Sequence, residues 1–408
     1  MIVSHEWTRS LAAMFVLMVT ATSFSRPVFA NKLSGQGDPV DTSAIVPFDE
    51  FSPPFLGVYR KVMEIEGDIV RYSRKYGVDA SLARAVCMYE SGGNANLTSG
   101  AGARGYFQVM PATFRLLQVA TNIEAGIKYL GQLVKQFGRE DYALAAYNGG
   151  PGRVARGRAM PLESLQYVLG VGSYRSVLKV YEPSVRAHAA ELGLVTSRKG
   201  DDWWTLSRRL EVPLIQLRLY NPFLTDQRLN QGPHLIAYPR HPRRDVFDVT
   251  EDGRPQYRAR IGDNYFNLAF AFGVDLDRMR SSNELWRLQL LPPGMVLTIP
   301  LDSTETFPEH RVRIGEDLAA VAARLQTDPW QIVRNNNLWD QQVHTGMVLR
   351  IPPASPSPTY QVHRVSRGEN LSAIARRYGT SIAAIQSANS LGRRTVIRIG
   401  ERLRIPTS

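Results

Sequence analysis

Three stretches of the chain bring together side chains that could handle a sugar. The first is Cys87-Met88-Tyr89-Glu90-Ser91. The second runs from Ser99 through Gly100, Gly102 and Gly105 to Tyr106-Phe107-Gln108-Val109-Met110-Pro111. The third is Ala145-Ala146-Tyr147-Asn148-Gly149-Gly150-Pro151. Glu90 follows an apolar helix face and precedes Gly92-Gly93. A carboxyl placed there can be partly buried yet open onto a cleft, and desolvation raises its pKa. Breaking a glycosidic bond needs such a protonated acid beside the scissile oxygen. Glycines in the second stretch let backbone come close to a ligand. Tyr106, Phe107 and Tyr147 offer flat apolar surface, and Gln108 and Tyr147 offer hydrogen bonds.

The elements that must position these residues are helices. Apolar residues recur near helical spacing from Val58 to Tyr76. Asp79 is placed to N-cap a second helix over Ala80 to Tyr89, and Pro111 to open a third. A fourth covers Asn122 to Phe137 and stops at Gly138, and a long last helix is expected from about Tyr174 to Leu192. Glu124 falls on the polar side of its helix, and Asp141 is placed to cap the next one. Residues 57–196 therefore read as a compact, mostly α domain, and residues 31–196 are expected to cut soluble glycan fragments without the rest of the chain.

What lies around that domain is different in kind. Residues 1–30 carry Arg9, an apolar run from Leu11 to Phe24 and a small-residue site at Ala30, which reads as a secretory signal peptide. Residues 31–56, with six glycines and prolines up to Pro54, read as a linker. Beyond Gly200 the chain repeats itself, anchored on Gly200, Gly262, Gly315 and Gly368 at separations of 62, 53 and 53 residues. Each copy reads as strand, Gly-acidic turn, two helices ending in Asn, and a closing strand. The copies span 200–240, which is degenerate, then 256–301, 308–352 and 359–406. The connectors between them are rich in proline, charge or serine and are expected to act as semi-rigid spacers between separate modules. The fold class is thus multidomain: an α catalytic domain followed by small α+β modules.

Composition narrows the chemistry. Hydrophobic residues make up 44% and charged residues 21%, which excludes a disordered chain, and no stretch after the first is long and apolar enough to span a bilayer. Only one cysteine, Cys87, is present, so no internal disulfide forms, and its apolar setting makes it a core residue. Six of the seven histidines lie outside the helical domain, which argues against a zinc site or a Ser-His triad. No metal and no cofactor are expected. A formal net charge of +12 favours an anionic partner. The arginines are dispersed, so an envelope polymer fits better than nucleic acid.

The three stretches closely resemble the lytic murein transglycosylase family, which has a goose-type-lysozyme-like helical fold. The resemblance rests on Glu90-Ser91, Ser99, Gly105 to Pro111, Asn122-Ile123 to Tyr129-Leu130, and Ala146-Tyr147-Asn148 to Pro151, in that order and spacing. The repeats resemble LysM modules, which bind glycans containing N-acetylglucosamine. The order of domains is similar to a membrane-bound transglycosylase D-like architecture. One departure stands out: residues 158–192 lack the family's Tyr-Val finish in familiar form, with the stretch GSYRSVLKVYEPSV as its candidate equivalent.

The resemblance implies cleavage of peptidoglycan between N-acetylmuramic acid and N-acetylglucosamine, with Glu90 as acid and then base and a 1,6-anhydro ring as product. It implies that Ser99 orients Glu90 or the substrate's N-acetyl group, that Gln108 holds the sugar, and that Tyr147 bonds near the catalytic carboxyl. Met110 and Asn148 shape the cleft. Peptidoglycan is the expected partner. The expected location is the periplasm or beyond, with no stable membrane insertion after signal cleavage. A hydrolytic lysozyme on the same fold and a non-catalytic glycan-binding scaffold remain as alternatives.

Overall fold

Helix start and stop signals set the register of the N-terminal half. The computed structural model describes residues 45–407, apart from 100, 158, 226–228, 230–232, 243–247, 250–254, 287–290, 301–306, 337, 339–342, 353–358, 367–368, 381, 390 and 392–396. The expected signal peptide and the first part of the expected linker lie outside the described residues. Helix α1 (Pro53–Val62) starts at Ser52, whose Oγ accepts from the Phe55 N–H at 3.2 Å. A short 3₁₀ turn, Met63–Ile65, leads to α2 (Glu66–Tyr76). Asp79 caps α3 (Ala80–Ser91) by accepting from the Leu82 N–H at 3.1 Å. Next come α4 (Pro111–Leu117), α5 (Asn122–Phe137), α6 (Glu140–Gly149) and α7 (Pro151–Ala155). Thr121 caps α5 and Gly138 ends it. The long α8 (Leu162–Glu191) kinks at Tyr181, two residues before Pro183, which has no N–H to donate. It packs along α3 and α1. Phe55, Leu56, Tyr59, Val86, Cys87, Phe107, Ile127 and Val171 are fully buried in the shared core.

Four expectations change. Residues 45–56 are not a linker: Phe51, Phe55 and Leu56 are buried, and the Pro53-Pro54 pair opens α1 rather than breaking structure. The last helix begins at Leu162, a dozen residues before the expected Tyr174. Glu124 is buried rather than on a polar face; Lys75 and the Tyr76 hydroxyl meet it at 2.8 and 2.7 Å and hold its carboxyl below the usual range. Asp141 does not cap α6. It pairs with Arg139 at 2.6 Å instead.

After α8 the chain forms four β-α-α-β modules. Their strands pair antiparallel as β1 (Gly193–Thr196) with β2 (Leu235–Tyr238), β4 (Pro255–Arg258) with β5 (Val296–Thr298), β6 (Glu309–Arg311) with β7 (Val348–Arg350), and β8 (Thr359–Arg364) with β9 (Arg402–Thr407). A short strand β3 (Asp248–Val249) adds to β4. The helix pairs are α9 (Trp203–Leu210) and α10 (Leu214–Tyr220), α11 (Tyr265–Phe272) and α12 (Leu276–Ser281), α13 (Leu318–Arg324) and α14 (Pro329–Asn335), and α15 (Leu371–Arg377) and α16 (Ile382–Ala388). Because β1 pairs with β2, residues 193–196, placed by the sequence within the helical domain, belong to the first module.

Two devices recur in every module. An acidic side chain accepts from the backbone N–H three residues before it: Asp201 from Arg198, Asp263 from Arg260, Glu316 from Arg313 and Glu369 from Ser366, at 2.7 to 2.9 Å. The turn needs a left-handed residue, supplied by Gly200, Gly262 and Gly315 at φ of 87, 92 and 80°. An asparagine then bonds both ways to the closing strand. Asn221 clamps Ala237, Asn283 clamps Thr298, Asn336 clamps Arg350 and Asn389 clamps Arg404. The degenerate first copy therefore has the same construction as the others.

The first three modules are not beads on spacers. One continuous core runs from Trp203 through Tyr257, Phe272 and Val321 to Ile351. Trp204 of the first module packs on Trp330 of the third, with ring centroids 5.0 Å apart. The Arg218 guanidinium lies 3.7 Å from the Trp330 ring and donates to the Ala271 carbonyl of the second module at 2.9 Å. Among the described residues, only the last module has a core of its own, built on Val365, Leu371, Ile374, Ile385, Leu403 and Ile405.

Candidate active site

Glu90 occupies the last turn of α3. The buried Leu82 and Val86 anchor that helix, and Gly92 ends it in the left-handed conformation. Ser91, fully buried, donates from Oγ to the Tyr106 carbonyl at 2.8 Å and so ties the helix end to the glycine-rich stretch. That stretch folds back on itself through bridges from Arg104 to Thr98 and to Val109. Asn122, at the start of α5, holds it from beneath: Oδ1 accepts from the Phe107 N–H at 2.9 Å, and Nδ2 donates to the Arg104 carbonyl at 2.8 Å. A Cβ on Gly105 would stand 2.6 Å from Asn122 Cγ, so this close approach requires glycine.

Glu90 itself is half-buried. Burial pushes its carboxyl up to about 7, and a hydrogen bond works in the opposite direction: the Tyr167 hydroxyl donates to Oε1 at 2.7 Å. Oε2 has no partner among the described residues. A group poised near 7 can give up and take back a proton at little cost. Burial, then the nearby Glu90 charge, raise the hydroxyls of Tyr147 and Tyr167 well above the usual tyrosine range. Both stay neutral donors.

Of the other expected residues, Tyr147 lies near Glu90, and each has partners different from those expected. Tyr147 stands within the field of Glu90, but its hydroxyl donates to the Phe107 carbonyl at 2.8 Å. Its bond therefore shapes the loop. Ser99 does not reach Glu90 through any described bond; its Oγ accepts from the Ala103 N–H at 3.0 Å and builds the turn. Gln108 sits at φ 45° and donates from Nε2 to the Leu97 and Gly105 carbonyls at 3.1 and 2.9 Å. Met110 is exposed, and Asn148 accepts from Ser164 Oγ at 3.0 Å. Ser164 also lines a cavity of about 150 Å³ with Tyr142, Arg153, Val154, Met160 and Pro161. No three His, Cys, Asp or Glu side chains are grouped to hold a metal ion among the described residues.

Tyr167 is the residue that sequence reasoning missed. Its signal was the pair Tyr167-Val168, a short way before the stretch offered as the equivalent finish. Because α8 starts at Leu162, Tyr167 lies within it and reaches across to Glu90 at the end of α3.

Comparison with known proteins agrees with this division. The model of the Transglycosylase SLT domain matches residues 69–163, and that of the LysM domain matches residues 257–300, 310–352 and 363–406. The soluble lytic murein transglycosylase of Salmonella typhimurium is 38% identical over 101 residues, covering 21% of this chain and 16% of that protein. The transglycosylase of Enterobacteria phage PRD1 is 39% identical over 84 residues, covering 19% and 32%. The N-acetylmuramoyl-L-alanine amidase sle1 of Staphylococcus saprophyticus is 24% identical over 157 residues, covering 34% and 48%. The chain thus spans less than half the length of each of these relatives. Among solved structures, the lytic transglycosylase Slt of Pseudomonas aeruginosa matches at 28% identity and a TM-score of 0.21, covering 30% of this chain and 22% of that one. Among the described residues, no helix is long and apolar enough to cross a membrane. LysM domains imply peptidoglycan binding, and the two kinds of domain together imply association with the cell envelope. Residues 69–163 thus carry the match to the Transglycosylase SLT domain, and three matches to the LysM domain follow it.

Proposed function

We propose that the chain is a peptidoglycan lytic transglycosylase. It cleaves the β-1,4 bond between N-acetylmuramic acid and N-acetylglucosamine and leaves a 1,6-anhydromuramic acid end. The observation that carries this reading is the Glu90–Tyr167 pair: a half-buried carboxyl with its pKa raised to about 7, one oxygen held and the other free. In the first step protonated Glu90 gives its proton to the glycosidic oxygen, and the C1–O bond breaks. In the second, the C6 hydroxyl of the muramic residue attacks C1. Glu90 takes the proton that this hydroxyl loses, so the enzyme returns to its starting state and no water is consumed.

Most glycosidases divide this work between two carboxylates. The influences on Glu90 are burial and Tyr167, with no second carboxylate among them. That supports participation of the substrate's N-acetyl group in place of a protein nucleophile. Gln108, with Nε2 tied into the loop, presents Oε1 to a sugar hydroxyl, and Met110 and Asn148 form part of the rim. The periplasm is the proposed compartment, and the LysM repeats hold the enzyme on the glycan.

Mass spectrometry of peptidoglycan digested by the full chain tests the reading. Anhydromuramoyl ends, absent with Glu90→Gln, are the expected product. Reducing muramic ends would identify a hydrolytic lysozyme on the same fold, and no cleavage would identify a binding scaffold.

A further inference from the structure

The second repeat module touches the back of the active site, and it does so with a residue the other modules lack. Tyr174 lies on α8, seven residues after Tyr167, and is buried. Its hydroxyl accepts from Asn264 Nδ2 at 3.2 Å and from Asn267 Nδ2 at 3.0 Å. Asn264 is the N-cap of α11, a position that is Asp or Asn in all four modules. Asn267, three residues on, corresponds to Thr205, Ala320 and Ala373 elsewhere. Only this module carries an amide there, and it is buried against α8.

The same module is also fastened at its turn. The Ile261 N–H donates to the Glu50 carbonyl at 2.7 Å, and the Ser52 N–H donates to the Ile261 carbonyl at 2.9 Å. A Cβ on Gly262 would stand 2.8 Å from the Phe55 ring. From Tyr174 an aromatic layer leads to the carboxyl. Tyr89, the neighbour of Glu90, stands edge-on to Tyr174 at 5.9 Å and to Tyr167 at 5.4 Å. Its ring would be 2.2 Å from a Cβ on Gly170, so α8 and α3 meet here without slack.

We infer that the second module is a positioning element of the active site. Asn264 and Asn267 fix Tyr174, which fixes the register of α8 on α3 and so holds the Tyr167 hydroxyl on Glu90. The module's acidic turn and first helix are committed to this contact.

The inference rests on the proposed role of Glu90, and the test separates the two. Tyr174→Phe and Asn267→Ala are made in the full chain and assayed on soluble glycan fragments across pH. A displaced Tyr167 withdraws the hydrogen bond that lowers the Glu90 pKa, so the alkaline limb of kcat/KM should move to higher pH. The turnover number should fall about three- to tenfold, the scale of one lost hydrogen bond, with KM little changed. Tyr167→Phe should move the limb the same way, and Tyr167→Phe with Tyr174→Phe should move it no further than Tyr167→Phe alone. A lowered melting temperature with the limb unmoved, or fully additive shifts, would overturn the inference. If the unmodified chain cleaves nothing, the proposed function fails while the inference is still read from the Glu90 carboxyl, by infrared difference titration against Glu90→Gln. An unchanged titration in Tyr174→Phe and Asn267→Ala would then overturn it.

Discussion

In the proposed function a single carboxyl sets the chemistry, and its environment can be tested directly. Glu90→Gln keeps the shape and removes the proton that moves, so cleavage should fall at least by the roughly 10²–10⁴-fold of acid–base catalysis while the circular dichroism spectrum is retained. The same substitution should also stabilise the protein at alkaline pH. The folded-state pKa of Glu90, about 7, lies above the ordinary 4.5. Stability tied to the neutral carboxyl is therefore complete below about 4.5 and is lost as pH rises through about 7. Melting temperatures of Glu90→Gln and the unmodified protein should coincide near pH 4 and diverge by pH 8, the variant being higher. Equal melting at pH 8 would mean that Glu90 is solvated. Tyr167→Phe should raise the pKa further, because it removes the one bond that favours the charged form.

At the scale of elements, the asparagine clamps predict how the modules come apart. Asn221 is fully buried and bonds both groups of Ala237. Asn221→Ala leaves those groups without partners and should lower the main unfolding transition by about 1–3 kcal/mol. Asn389, partly buried, makes the same bonds to the exposed Arg404, so Asn389→Ala should cost about 1 kcal/mol. Its effect should fall on the last module alone, which has a separate core. Differential scanning calorimetry should show a minor transition that moves with Asn389→Ala and not with Asn221→Ala. A single transition that both variants move would contradict the division of cores.

At the scale of the whole molecule, that division decides where the chain can be cut. Ending it after residue 196 strands β1 without β2 and removes Tyr220 and Ala237 from the core of the helical domain. It also removes the Asn264 and Asn267 contacts to Tyr174. Such a fragment should be recovered aggregated or without a cooperative melt, contrary to a self-contained catalytic unit. Ending the chain after residue 352 removes only the last module. That form should keep the main melting transition and the rate on soluble fragments, and should sediment less with insoluble peptidoglycan. Unchanged sedimentation would move the binding role to the modules in front.

The sequence by itself determined the inventory of parts, a helical domain followed by repeats. Glu90, its flanking glycines, the caps at Asp79 and Pro111 and the four anchoring glycines are local signals, each carried by a few adjacent residues whose backbone preferences do not depend on distant partners. Only the tertiary structure decided what those parts touch. Tyr167 reaches Glu90 across 77 positions of sequence, and Pro53-Pro54 belongs to a buried helix because Phe55 and Leu56 find a core. Asn267 gains its partner Tyr174 only because α11 packs against α8. Such pairings depend on how apolar faces stack, and an apolar face read from spacing says that it must be covered without saying by what.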